Sequence, residues 1–233
     1  MYWSLLKESL LHLVFPHVCP GCAIDLAQGS QLLCLRCLGG LPVTSFHAHA
    51  GNPVEKIFWG RLPLELATAH YYFTKGSVVQ HLLHELKYRG HREAGDFLGR
   101  QMGQALAATP RFAGIEGLIP LPLFGDKERQ RGFNQSALLC AGMAAALGKP
   151  VWPGVLVRTS YTESQTKKGR VDRWRNMEGR FGLANGERLA GRHVLLVDDV
   201  ITTGATLEAG GRALLQVPGL RLSIAALCFS SGP

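Results

Sequence analysis

Two adjacent carboxylates followed by a cluster of hydroxyls form the most specific chemical feature of the chain: Val194-Leu-Leu-Val-Asp198-Asp199-Val-Ile-Thr202-Thr203-Gly204-Ala205-Thr206. The apolar run before the acids reads as a buried strand, and the residues from Ala205 onward read as a helix. The acids then fall at the carboxyl end of a strand, where open parallel sheets hold their ligands. Thr202 to Thr206 offer hydroxyls and successive N–H groups at a helix start, where the dipole and the unpaired donors favour an anion. Gly204 is expected to let the backbone approach that anion without a Cβ in the way. One half of the segment accepts hydrogen bonds and the other donates them, as a sugar phosphate requires. The plainer alternative is that the acids cap the helix and the threonines are turn residues. Neither Gly-x-x-x-x-Gly-Lys-Ser/Thr nor Gly-x-Gly-x-x-Gly occurs, which argues against a P-loop nucleotidase and a dinucleotide site.

A second place for an anion lies upstream. Ile119-Pro120-Leu121-Pro122-Leu123 makes a rigid turn after an expected strand, and Lys127, Arg129 and Arg131-Gly132-Phe133-Asn134-Gln135 follow it. Cations leading into a helix start suit a second anionic group, although a Pro-capped loop with solvated charges would look the same. Between Arg158 and Arg180 seven basic side chains face three acidic ones, a net +4 out of the chain's +8. This weakly periodic stretch holds Arg158-Thr159, Ser164-Gln165-Thr166, Arg170, Arg173 and Asn176. It reads either as a loop that closes over a polyphosphate or as a solvated face.

Cys19-x-x-Cys22 and Cys34-x-x-Cys37 form two thiol pairs with eleven residues between them. That spacing predicts one tetrahedral Zn²⁺, closed by four thiolates and therefore structural. Cys140 and Cys228 fall in an expected helix and strand, where a core thiol is the natural reading. His17, His70, His81 and His91 have no ligand spacing.

The elements that must position these residues alternate. Strands are expected at Ala67–Phe73, Ile115–Ile119, Val155–Val157, His193–Val197 and Leu222–Phe229. Helices are expected from Val78 to Leu86, introduced by Ser77 and Gln80, and at Phe97–Ala108, Asn134–Leu147 and Ala205–Val217. Near-continuously apolar strands separated by helices imply a parallel sheet covered on both faces. The chain has 233 residues, 46% hydrophobic, enough for one sizeable core and a small module. Its net charge of +8 suggests an anionic partner, a phosphorylated metabolite or nucleic acid. Met1–Phe15 is read as an amphipathic helix, because Lys7, Glu8 and His12 interrupt it and no cleavage site follows. No apolar run approaches the ~20 residues of a bilayer span. A cytoplasmic protein without membrane insertion is expected.

Val194–Thr206 resembles the motif with which type I phosphoribosyltransferases bind 5-phosphoribosyl-1-pyrophosphate (PRPP). With Ile119–Leu123, Arg131–Gln135, the basic stretch, the cysteine pairs and His84-Glu85-Leu86-Lys87-Tyr88, nearly the whole chain resembles the ComF family, including its GntX-like members, which is linked to natural competence in some bacteria. The resemblance implies an α/β fold, a type I phosphoribosyltransferase-like parallel sheet flanked by helices, preceded by a small zinc module with four cysteine ligands. The N-terminal helix and zinc module would span residues 1–50 and the phosphoribosyltransferase-like domain residues 60–233. By the same resemblance Asp198 and Asp199 fix the ribose, and Thr202, Thr203, Gly204, Ala205 and Thr206 hold the 5-phosphate. Pro122 and Leu123 line the pyrophosphate loop, and Lys87, Arg129 and Arg131 neutralise pyrophosphate. Gln165, Arg170 and Arg173 belong to a flexible loop. Mg²⁺ would accompany PRPP, and Zn²⁺ would be structural. The implied reaction transfers phosphoribose to an acceptor that no residue announces and releases pyrophosphate. The alternative is a PRPP-binding accessory protein that engages single-stranded DNA or a DNA-uptake partner, with Lys167, Lys168 and Arg170 on phosphates and Trp152, Tyr161 and Trp174 stacking on bases.

Overall fold

The computed structural model describes residues 18–26, 32–88, 92–158 and 181–230. The expected first helix, Met1–Phe15, lies outside the described residues. Two short helices lead in. α1 (Leu35–Gly39) starts on Cys34. α2 (Pro53–Phe58) starts on Asn52, whose side chain accepts from the Val54 and Glu55 amides while Pro53 fills the first helical position. The sequence presents this stretch as a link, since a six-residue helix is too short to display a period.

β1 (Leu66–Tyr72) and α3 (Val78–Tyr88) come next. Ser77 Oγ accepts from the Gln80 amide and Gln80 Oε1 accepts from the Gly76 amide, so the expected capping pair forms with its return bond one residue early. There follow α4 (Arg92–Ala107), β2 (Gly117–Pro120), α5 (Gly125–Arg131), α6 (Gln135–Leu147), β3 (Leu156–Arg158), β4 (Phe181–Leu183), β5 (His193–Ile201), α7 (Ala205–Leu214) and β6 (Arg221–Phe229).

β1, β6, β5 and β2, in that order, form a four-stranded sheet in which every neighbouring pair is parallel. Alternate residues of β5 divide between two cores, as the pleat requires. Leu195 and Val197 join Leu82, Leu98, Met102 and Leu139 from α3, α4 and α6. Val194 and Leu196 join Val54, Phe58, Leu207 and Leu214 from α2 and α7. Both faces are therefore covered, and all four strands end toward the same edge. The expected strand near Val155–Val157 forms, but it pairs antiparallel with β4 in a separate two-stranded ribbon. Only Leu156 of its three residues is buried, so it lacks the apolar faces of a central strand.

α4 and α6 meet backbone to backbone. A Cβ on Gly99 would stand 2.3 Å from the Leu139 carbonyl oxygen, and one on Gly142 would stand 2.2 Å from that of Asp96. This close approach fixes the start of α6 beside the end of β5, where the site lies. Cys140 and Cys228 are fully buried, as core thiols should be. Among the described residues no helix is long and apolar enough to cross a membrane.

Candidate functional site

β5 carries Asp198 and Asp199 past the last residues of β2 to the carboxyl edge of the sheet, with Asp198 in register with Ala226 of β6. The two acids have different surroundings. Asp199 Oδ2 lies 2.5 Å from Lys87 Nζ, which arrives from the last turn of α3. Asp198 Oδ1 accepts from the Ser136 hydroxyl at 3.2 Å and from the Asp199 amide at 2.8 Å. Burial pushes the Asp198 carboxyl up to about 7 and the Asp199 charge adds to the rise, while the Asp199 amide, Ser136 and Lys87 pull it down. One acid is thus paired with a cation. The other is buried among a hydroxyl and an amide, and its carboxyl is raised.

Past Ile201 the chain turns through exposed Thr202 and Thr203 into α7, with Thr206 also exposed. Gly204 sits at φ 73° and has no side chain to cap the helix, and the Ala205 amide makes only a long bond of 3.5 Å to Thr203 Oγ1. The start of α7 can therefore offer amides to an anion. Gly204 also has a reason beyond the one expected. A Cβ there would lie 2.7 Å from Ile57 Cγ2 and 3.0 Å from the Phe58 ring, so the glycine is demanded by its left-handed backbone and its packing on α2. Arg61, just past α2, donates to the Thr203 carbonyl at 2.9 Å.

On the other side of the acids, Pro122 and Leu123 are half-buried in the turn after β2. Asn134 Nδ2 donates to the Leu121 carbonyl and Arg158 Nε to the Pro122 carbonyl, each at 2.9 Å. The Arg158 guanidinium lies 3.8 Å from the Phe124 ring centroid and 4.7 Å from that of Phe181. α5 buries none of its residues. On it Arg129 pairs with Asp126 at the surface, and Arg131 donates to Gln135 Oε1 at 3.0 Å.

The four module cysteines gather as their spacing predicts. Their sulfurs all lie within 4.8 Å of one another, with Cys22 and Cys34 3.6 Å apart. Four thiolates at the usual Zn–S length of ~2.3 Å would stand about 3.8 Å apart, so the cluster fits such an ion. Amides point at the sulfurs, Cys34 N–H to Cys19 Sγ and Cys37 N–H to Cys34 Sγ. Cys19 and Cys37 are buried in the same core cluster as Val79, Leu82 and Leu83 of α3.

Residues 135–232 match the family model described as "Phosphoribosyl transferase domain". Competence protein F of Haemophilus influenzae is 28% identical over 217 residues, 89% of this chain and 88% of that protein. Competence protein ComFC of Bacillus subtilis is 38% identical over 99 residues, 42% of this chain and 38% of that protein. The DNA utilization protein YhgH of Escherichia coli O157:H7 is 30% identical over 215 residues, 91% of this chain and 89% of that protein. The chain belongs to the ComF family.

Against the ComF resemblance drawn from the sequence, the structure brings Lys87, Asp198 and Asp199 together, next to the Thr202–Thr206 turn. Lys87 reaches the cleft, but its partner there is Asp199. Arg129 is turned to Asp126, with its side chain 78% exposed. Gln165, Arg170 and Arg173 lie outside the described residues, as do Lys167, Lys168, Tyr161 and Trp174. Trp152 packs its ring over Gly117, with the Arg192 guanidinium 5.7 Å from the ring centroid. Gly117 pairs with Val194, four residues before Asp198, so Trp152 lies at the end of the sheet away from the two acids. Sequence reasoning names Arg158 in the basic stretch but does not reach Ser136 and Arg61 as parts of the site. For Ser136 a signal exists, because it follows the Asn134 cap that starts α6; for Arg61 there is none.

Proposed function

We propose that this ComF-family chain binds PRPP at the β5–α7 turn and transfers its phosphoribosyl group to an acceptor, releasing pyrophosphate. The observation that carries the reading is the juxtaposition of the two acids with the glycine-led start of α7, all inside the segment that matches the phosphoribosyltransferase model. Asp198 and Asp199 take the ribose hydroxyls, and Thr202 to Thr206 take the 5-phosphate. Pro122 and Leu123 line the space for pyrophosphate, whose charge Lys87, Arg129 and Arg131 neutralise as it leaves. The acceptor's lone pair forms the new bond to C1, the C1–O bond to pyrophosphate breaks with its electron pair going to the leaving oxygen, and the acceptor's proton passes to solvent. With no protein nucleophile, rate enhancement rests on positioning and on charge stabilisation. Two adjacent carboxylates are a hard oxygen donor set that suits Mg²⁺, which would accompany PRPP and screen its pyrophosphate. The four-cysteine cluster takes Zn²⁺ as a structural ion, in keeping with a reducing cytoplasm.

A second reading rests on the names of the relatives, DNA utilization and competence, together with the net charge of +8. In it PRPP is a bound effector and the protein engages single-stranded DNA or a DNA-uptake partner.

Calorimetric titration of PRPP with Mg²⁺ into the wild type and into Asp198→Asn/Asp199→Asn tests the first reading. Binding confined to the wild type supports it, and pyrophosphate release with candidate acceptors extends it to catalysis. A folded, zinc-loaded wild type that takes up no PRPP would sink it. Single-strand affinity that falls steeply with salt would then favour the second.

A further inference from the structure

Arg61 ties three pieces of chain together at the start of α7. Its Nη1 donates to the Thr203 carbonyl at 2.9 Å and to the Ile57 carbonyl at 3.0 Å, and its Nε donates to Glu208 Oε2 at 2.9 Å. Arg212, one turn on, donates to Glu208 Oε1 at 2.8 Å and to the Arg61 carbonyl at 2.9 Å. The same segment packs Ile57 and Phe58 on Gly204.

Two consequences follow from elementary physics. In a trans peptide the C=O and N–H point to opposite sides. Holding the Thr203 carbonyl toward Arg61 therefore turns the Gly204 N–H to the other side of the turn. Glu208, in the first turn of α7, places a negative charge where the helix should welcome an anion. Burial would raise its carboxyl, but hydrogen bonds and charge from Arg212 and Arg61 outweigh burial and hold it below the usual range. It is therefore ionised, and two guanidiniums offset it.

We infer that Arg61 is a positioning residue of the phosphate turn: it fixes the Thr203 peptide and screens Glu208, so that the amides of Thr202–Thr206 can face a sugar phosphate. The inference rests on the PRPP reading above. It assigns part of the phosphate site to residues 53–61, upstream of the segment that matches the family model.

The test titrates ribose 5-phosphate and, separately, inorganic pyrophosphate into the full chain. Arg61→Ala is expected to weaken ribose 5-phosphate about tenfold, the scale of one charge-assisted hydrogen bond, and to leave pyrophosphate within about twofold. Arg61→Lys keeps the charge but cannot bridge two carbonyls and a carboxylate at once, so it should recover part of the loss. General damage would weaken both ligands alike, and that pattern overturns the inference. So does a wild type that binds ribose 5-phosphate no better than Arg61→Ala. If Arg61→Ala does not fold, Arg61→Lys decides alone, and wild-type affinity for ribose 5-phosphate in that variant overturns the inference. A wild type that binds neither ribose 5-phosphate nor PRPP removes the PRPP reading and this inference together.

Discussion

At the α7 end of the cleft, Gly204 is packed on Ile57 and Phe58, and Arg61 holds the Thr203 carbonyl. At the Pro122 end the chain runs into α5, a helix without a buried residue, and the turn before it is held by hydrogen bonds from Asn134 and Arg158. One end of the site is built into the core and the other stands on the surface. Mutations at the two ends should therefore act differently. Changes at the α7 end alter stability and binding together, whereas changes on α5 alter binding alone.

Gly204→Ala is the strongest test of that contrast. It combines a left-handed backbone with contacts of 2.7 and 3.0 Å to α2, and should cost about 2–4 kcal/mol of unfolding free energy in denaturant melts. A cost under ~0.5 kcal/mol would show that the turn yields and is not buttressed.

Next in size is the pH dependence carried by Asp198. Its proton is bound up to about pH 7 in the folded chain but only to its ordinary 3.8 when unfolded, so the folded state holds the extra proton between those values. Stability from this group is complete below pH ~4 and is lost as pH rises through 7, by about 1–3 kcal/mol. Asp198→Asn should flatten that slope, and above pH 7 should make the unliganded protein more stable while removing sugar binding. Urea unfolding at pH 5 and pH 8 reads both effects, and equal slopes for the two proteins would refute the assignment.

Arg158→Ala removes the bond to the Pro122 carbonyl and the guanidinium between Phe124 and Phe181. It should cost about 1–2 kcal/mol and weaken pyrophosphate more than ribose 5-phosphate. The reverse order of ligand losses would place Arg158 at the wrong end of the cleft. Arg129→Ala, on the exposed face of α5, should change unfolding by less than ~0.5 kcal/mol while lowering pyrophosphate affinity. A larger loss of stability would mean that α5 is more firmly seated than its exposure implies.

What can be read from the sequence is local. The strand, acids, glycine and helix of Val194–Thr206 are contiguous, and the paired cysteines declare their geometry by spacing alone. Arg61 meets Glu208 across 147 residues, and no periodicity within either segment reports that contact. α2 and α5 have six and seven residues, too few for a helical period, and α5 has no apolar stripe. The packing role of Gly204 is hidden for the same reason: its neighbours Ile57 and Phe58 come from a stretch that reads as a link. Gly95, Gly99 and Gly103 recur every four residues on α4, a spacing that by itself signals close helix packing.

The strand order has a consequence for how the molecule is made. In the sheet β1 is bonded to β6, and Thr68 lies in register with Ala225, 157 residues later. At 5–20 residues per second a ribosome takes about 8–30 s to supply that partner. Through that interval β1 waits with an open edge, and the described sheet closes only once β6 emerges. Folding of this sheet therefore waits on β6 and should be slow, as long-range parallel pairing generally is. A chain stopped before Arg221 would leave both β1 and β5 without the strand that joins them.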